Sequence, residues 1–223
     1  MESRIILLRH GLTEGNQRRW FYGGIDIPLT EEGRQQLKER REAGVYPPVP
    51  EDAQVFTSGL IRTEETLELT YGPRPHGRIP ELREYRFGRF EARNYDELSK
   101  AGGRELEIFN RWAYDETGEV ALPGGESRSE FRERIRQGVE RLLEAHRAYG
   151  KKRRESGMPV TLMVCHGGVI SQMLLTMFGH LEGTMWDYIP APGLGYVVSL
   201  TKGEPRAFEP IEDPEAVSGK KGK

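Results

Sequence analysis

Cysteine is nearly absent: Cys165 is the only one in 223 residues, so no internal disulfide can form. Long apolar runs are absent too. Ile5-Ile6-Leu7-Leu8 is four residues long and is closed by Arg9 and His10. It is too short for a membrane span or the apolar core of a signal peptide, so a soluble cytoplasmic protein is expected. An excess of either charge is missing as well. The 33 Lys and Arg stand against 35 Asp and Glu, a formal net charge of -2. That argues against a general nucleic-acid surface and makes any affinity for anions a local matter. The five histidines lack the spacing of a metal box, and no internal repeat is visible.

What is present is an alternation of strands and helices. The run Ile5 to Leu8 suits a strand buried on both faces of a parallel sheet. Thr30 to Arg41 reads as a helix, with Thr30 as N-cap and Glu31 and Glu32 in its first turn. Ala53 to Thr57 reads as a strand, Leu60 to Leu69 as a helix, Val160 to Cys165 as a strand and Val169 to Phe178 as an apolar helix. Gly195 to Leu200 is the last good strand. The rhythm predicts an α/β fold, a three-layer α/β/α sandwich with a mostly parallel central sheet. The middle, about 73–154, breaks it with short helices at Tyr95 to Lys100 and Glu105 to Tyr114 and a long polar helix from Ser127. It is expected to be a helical insertion covering the active site. One domain over 1–211 is expected, with 212–223, rich in Lys and Gly, as a flexible tail.

Three predicted strands end in reactive or glycine-rich residues: Arg9-His10-Gly11, Ser58-Gly59 and His166-Gly167-Gly168. In open α/β sheets ligands bind beyond the C-terminal ends of the strands. Arg9 and Arg62 can each offer forked donors to phosphate oxygens. Glycines let backbone approach an anion, and helices starting there aim N–H groups at it. Neutral imidazole is a competent nucleophile, so His10 could take a phosphoryl group if one ring nitrogen is held as N–H. A leaving alkoxide also needs a proton, and a carboxyl beside a phosphate suits that task. Taken singly, a histidine at a strand end or an arginine on a helix is an ordinary residue; the joint pattern is what carries weight.

The motifs, in order, are Arg9-His10-Gly11-Leu12-Thr13-Glu14-Gly15-Asn16, Asp26-Ile27-Pro28-Leu29-Thr30-Glu31-Glu32-Gly33, Ser58-Gly59-Leu60-Ile61-Arg62-Thr63-Glu64-Glu65-Thr66, Leu82-Arg83-Glu84 with Phe87-Gly88-Arg89-Phe90-Glu91, Pro123-Gly124-Gly125-Glu126-Ser127, and Cys165-His166-Gly167-Gly168. This set resembles the histidine phosphatase superfamily, also called phosphoglycerate mutase-like, from about Ile5 to Leu200. The resemblance implies His10 as the phosphorylated nucleophile and Arg9, Arg62 and His166 as the phosphate pocket. It implies Glu84 as proton donor to the leaving group and then as the base that activates water. Asn16 would contact the phosphate, Gly23 would bring backbone to the site, and Tyr22 and Gly167 would also face the substrate. No metal and no cofactor is implied. His76, His146 and His180 fall outside every motif and are expected to be structural or on the surface, and Cys165 a buried strand residue.

Glu84-Tyr85-Arg86-Phe87-Gly88 and Gly15 are nearer the phosphatase branch than the mutases, which carry a Glu-Arg-His-Tyr-Gly type of run and Trp before the asparagine. The resemblance therefore implies a metal-independent phosphatase of small-molecule phosphate monoesters, broad in specificity or like α-ribazole phosphatases, to which Glu91-Ala92-Arg93 leans. A phosphoglycerate mutase, a protein phosphohistidine phosphatase, and a phospho-ligand-binding protein with little catalysis are the alternatives. Tyr22 stands where many relatives have Gln. Trp20, Phe21 and Tyr22 could stack on a ring at the mouth, whereas Trp112 and Tyr114 are expected to pack the insertion's own core. Arg18, Arg19, Arg86 and Arg89 could hold a second acidic group, though most are expected to be solvated. The expected partner is a small phosphate ester, with neither nucleic acid nor membrane, and a homodimer is left open.

Overall fold

The computed structural model describes residues 2–153 and 157–213. In chain order the elements are β1 (Glu2–Arg9), α1 (Glu14–Gln17), α2 (Glu31–Glu42), β2 (Gln54–Thr57), α3 (Ile61–Tyr71), β3 (Gly77–Arg78), α4 (Tyr95–Ala101), α5 (Gly103–Ala113), α6 (Arg128–Lys152), β4 (Val160–Cys165), α7 (Gly167–Met177), β5 (Gly195–Thr201) and β6 (Glu204–Pro210). The six strands form one sheet in the order β3-β2-β4-β1-β5-β6, parallel from β3 to β1 and antiparallel at β5 and β6.

Side chains alternate across a strand, and β1 uses both faces. Ile5 and Leu7 join Met163 and Cys165 of β4 in one core, with Phe131, Ile135 and Leu142 of α6 and Val169 and Ile170 of α7. Ile6 and Leu8 face the other way with Leu162, Val164 and Leu67 of α3. The layers are therefore α6 and α7, the sheet, and α3 with α2 against it. Ser127 caps α6 by accepting from the Glu130 N–H, and the Glu130 carboxylate accepts from the Ser127 N–H, which sets where this long polar helix begins. Because α6 packs on the sheet as a layer helix, only the part of the 73–154 stretch before it covers the mouth of the site.

Two elements differ from the sequence reading. Gly195 to Leu200 is not the last strand, because β6 follows and closes the sheet edge. Its sequence, Glu204-Pro-Arg-Ala-Phe-Glu-Pro210, carries the charges and prolines that suit an edge strand and hide it from a pattern search. The last apolar helix starts at Gly167, not Val169, which puts the Gly167 and Gly168 N–H groups in its first turn. The proposed tail at 212–223 lies almost entirely outside the described residues.

His146 of α6 is buried at the N-terminal ends of the strands, with Nδ1 2.8 Å from Thr161 Oγ1 and Nε2 2.9 Å from Ser3 Oγ. Burial, helped by Arg147, holds its pKa down from 6.5 to about 4. The folded state thus keeps this ring neutral, and the unfolded chain takes up the proton first as the pH falls below 6.5. The stabilisation is complete above pH 6.5 and is lost as the pH falls through the folded value, by ~3 kcal/mol in all. Urea unfolding at pH 7 and pH 4.5 should show wild type losing roughly 2 kcal/mol more than His146→Gln, which keeps a polar side chain but does not titrate. Equal losses in the two proteins would remove His146 as the cause.

Candidate active site

The parallel register brings the motif residues to one end of the sheet. Arg9 of β1 pairs with Cys165 of β4, and Thr57 of β2 with Val164. The next residues continue the ladder, with the His10 N–H donating to the Cys165 carbonyl and the Ser58 N–H to the Val164 carbonyl. His10, Ser58 and His166 therefore emerge side by side at the C-terminal strand ends, and the His10 and His166 ring centroids are 5.3 Å apart.

His10 Nδ1 lies 2.8 Å from the Gly11 carbonyl oxygen. A carbonyl can only accept, so Nδ1 carries the proton and Nε2 keeps its lone pair. Burial pushes the His10 pKa well below 6.5, and the nearby Arg62 and Arg9 push it further the same way. The ring is thus neutral at pH 7, with its nucleophilic nitrogen available. His166 is lowered by the same burial and by Arg62. Its Nε2 lies 2.8 Å from Ser58 Oγ. Ser58 Oγ is also 3.2 Å from Thr63 Oγ1, whose own proton goes to the Leu60 carbonyl at 2.7 Å. The Ser58 hydroxyl thus has one proton for two acceptors; given to the shorter contact, His166 Nε2, it leaves His166 Nδ1 as a donor.

Arg62 enters from α3 with no exposed surface, held by the Ile25 carbonyl at 2.9 Å and the Gly23 carbonyl at 3.4 Å. Arg9 is held by the Pro190 carbonyl at 2.6 Å. Arg9 Nε, Arg62 Nε and His166 Nδ1 are buried and have no hydrogen-bond partner among the described residues. Two buried guanidiniums with incomplete hydrogen bonding are costly unless an anion completes them. Neutral His10 lies close enough to both for their charges to act on it.

Above this floor, Arg9, Asn16, Tyr22, Glu84, Gly167 and Gly168 line a cleft of about 240 Å³. Glu84 is anchored by backbone donors, the Tyr85 N–H at 2.9 Å on Oε1 and the Gly168 N–H at 3.0 Å on Oε2. Asn16 Oδ1 accepts from the Thr13 N–H at 3.1 Å, so its amide NH2 is the end turned elsewhere. The Tyr22 ring caps the pocket, 5.2 Å from the Arg62 guanidinium carbon and edge-on to His10, with its hydroxyl 2.6 Å from Thr13 Oγ1. It also rests on Gly15, where a Cβ would come within 2.6 Å of the ring, so Gly15 and Tyr22 are spatially interdependent. Gly23 does not line the cleft. A Cβ there would sit 1.9 Å from the Tyr85 carbonyl oxygen, and its own carbonyl serves Arg62.

Several supporting residues lay in quoted motifs without a role. The Glu91 carboxylate accepts from the N–H groups of Gly23, Gly24 and Phe87 at 2.9, 2.9 and 3.0 Å, which fixes the loop whose carbonyls hold Arg62. Glu126, almost fully buried, pairs with Arg134 at 2.6 Å and accepts from the Arg86 N–H at 2.9 Å. Arg134 in turn donates to the carbonyls of Glu81, Arg83 and Glu84. Trp112 is buried as expected and donates to the Tyr85 hydroxyl at 2.8 Å. Tyr114 is not: it is 76% exposed. It follows the last residue of α5, where the apolar face of the helix has already ended. Arg18, Arg86 and Arg89 are exposed and engaged by Glu14, Glu126 and Glu105, while Arg19 lines the cleft. Met185 and Trp186, which no motif contains, line it as well.

A sequence model of the histidine phosphatase superfamily (branch 1) matches residues 5–209. The chain is 27% identical over 202 residues to the adenosylcobalamin/alpha-ribazole phosphatase of Salmonella typhimurium, covering 90% of this chain and 92% of that protein. It is 29% identical over 230 residues to a 2,3-bisphosphoglycerate-dependent phosphoglycerate mutase of Methylobacterium radiotolerans, covering 99% and 100%. The alpha-ribazole phosphatase of Shigella flexneri has a similar structure, with a TM-score of 0.73 and 25% identity over 91% of this chain and 93% of that one.

Proposed function

Because the chain belongs to the histidine phosphatase superfamily (branch 1), we propose that its site hydrolyses small-molecule phosphate monoesters through a phosphohistidine on His10. The observation that carries this reading is the His10 ring, neutral, pinned at Nδ1 by the Gly11 carbonyl and placed beside two buried guanidiniums. Arg9, Arg62, Asn16 and His166 bind the phosphate, with Tyr22 and the Gly167 N–H at its edge. His10 Nε2 attacks phosphorus, the bond from phosphorus to the leaving oxygen breaks, and the Glu84 carboxyl gives its proton to that oxygen. Glu84, now a carboxylate, takes a proton from water, which attacks phosphorus. The bond to His10 breaks and inorganic phosphate is free. The protein's contribution is mostly placement and charge, as is usual in phosphoryl transfer.

The phosphatase branch is supported by relatives named alpha-ribazole phosphatases and by the stretch from Glu84 to Gly88. Mutases among the relatives keep the second reading in view. The chemical difference is whether water or the dephosphorylated substrate receives the phosphoryl group. A cytoplasmic location fits the single, buried, unpaired cysteine. No described helix is long and apolar enough to cross a membrane.

The test is a substrate panel in EDTA: p-nitrophenyl phosphate, 3-phosphoglycerate, sugar phosphates, nucleotides and α-ribazole phosphate, scored for released phosphate and for 2-phosphoglycerate. The expected result is phosphate release unchanged by EDTA, with turnover numbers in the ordinary enzymatic range of about 1–1000 per second on the best substrate. Isomerisation of 3-phosphoglycerate with little phosphate release would instead make the protein a mutase. No turnover of any compound would favour a binding protein.

A further inference from the structure

The cleft that holds Glu84 shares two of its walls with a neighbour. Phe21 and Trp186 line it and also line a second cavity of about 300 Å³. The second cavity is walled by aromatic rings: Phe21, Tyr95, Phe109, Trp112, Tyr114 and Trp186. Part of this wall is a packed array, with Phe109 4.6 Å from Phe21, 5.2 Å from Trp112 and 6.0 Å from Tyr95, centroid to centroid. The rest is open. Of the five exposed large apolar side chains among the described residues, Tyr95, Tyr114 and Trp186 all lie on this cavity. Exposed aromatics gathered on one concave surface are the usual mark of a binding site.

Two polar side chains line the same cavity, and both are incompletely paired. Arg128 Nε and Nη2 and Asn110 Oδ1 are buried and have no hydrogen-bond partner among the described residues. Arg128 is also the first residue of α6, where the helix dipole disfavours a cation. Asp115 stands close enough for its charge to act on Arg128, but no acceptor meets these two donors; buried polar atoms are nearly always paired, so the donors and the acceptor left over on this wall describe the ligand that would satisfy them.

We infer that this cavity is the leaving-group subsite and that it takes a planar heterocycle presenting a carbonyl and an N–H side by side. The substrate class is then a phosphate monoester whose alcohol carries a lactam-bearing base, a nucleoside monophosphate of the hypoxanthine or uracil kind. Arg128 donates to the ring carbonyl, Asn110 Oδ1 accepts from the adjoining N–H, and the rings of Trp186 and Phe21 flank the base between the two cavities. This deepens the phosphatase reading and rests on it for the chemistry, but the binding itself does not depend on turnover.

The experiment uses free nucleosides, so that it reads the subsite alone. Inosine is titrated into the full-length protein while tryptophan fluorescence is followed, and purine riboside, which lacks the lactam, is titrated in parallel. Saturable quenching by inosine is expected, with purine riboside at least about tenfold weaker and inosine weakened about tenfold by Arg128→Met. No saturable quenching by inosine up to about 10 mM, or equal binding of the two nucleosides by wild type, overturns the assignment. The comparison of two ligands on wild type decides the matter even if Arg128→Met folds poorly. Binding of inosine with no phosphatase activity on p-nitrophenyl phosphate would keep the subsite and fail the reaction. Phosphatase activity without inosine binding would do the reverse.

Discussion

His10→Ala is expected to lower kcat/KM on p-nitrophenyl phosphate by at least about 10⁴-fold while leaving the fold intact, because it removes the bond-forming atom and not a positioning group. The polar contact of the ring is local, to the carbonyl of the next residue, so its loss should change stability by only about 1 kcal/mol. The companion variant is Glu84→Gln. The p-nitrophenolate leaving group departs without a proton, so the first step survives, but no carboxylate remains to activate water in the second. A stoichiometric burst of nitrophenol should then precede a slow steady state, with phosphate on the protein that is labile in acid and stable in alkali. The pH profile adds an independent check. Protonation of His10 removes its lone pair, and burial with two guanidiniums holds that protonation well below the usual 6.5. The His10 acid limb of kcat/KM should therefore fall below pH 6.5. Activity that survives in His10→Ala, or a burst variant carrying no phosphate, would sink the mechanism.

How far the sequence alone reaches is decided by the kind of residue. The nucleophile, the arginines and the second histidine were legible because chemistry restricts their type and the parallel strands deliver them to one place. The glycine turns were legible as motifs but not as contacts. Gly88, with φ of 56°, packs against Pro123 to Gly125 so closely that a Cβ would meet backbone at 2.3 Å. Nothing in a linear pattern shows that pairing, since 86–88 and 122–126 are far apart in the chain. The clamps Glu91 and Glu126 were hidden for a different reason. In a chain this rich in glutamate the better prior is a solvated carboxylate, and only burial reveals otherwise. Tyr114 was expected in the insertion's core with Trp112, but it lies one residue past the end of α5 and is exposed. Strand β6 went unseen because edge strands carry charge and proline. Trp186 and Met185 lie beyond every motif, so only the folded chain brings them to the cleft.

The same burial argument gives the second large effect, at Glu126. Its carboxylate is 1% exposed and holds Arg134 through two contacts, 2.6 and 3.1 Å, while Arg134 binds the carbonyls of Glu81, Arg83 and Glu84. Glu126→Ala leaves Arg134 without its counter-charge and the Arg86 N–H without its acceptor. Breaking one side of a buried pair costs about 3–5 kcal/mol, which in a chain of this size lowers Tm by roughly 10 °C. Urea and thermal unfolding measure that directly. The functional consequence should be selective, because the segment released is the one that carries Glu84. A misplaced proton donor matters most when the leaving group is a poor one. Glu126→Ala should therefore reduce the single-turnover rate of alkyl phosphate cleavage at least tenfold more than the pre-steady-state burst rate of nitrophenol release from p-nitrophenyl phosphate, for which departure needs no proton. An equal reduction on both substrates would mean that Glu126 supports the fold only, and a loss of stability below about 1 kcal/mol would mean that the Arg134 pair is not the tie holding this segment.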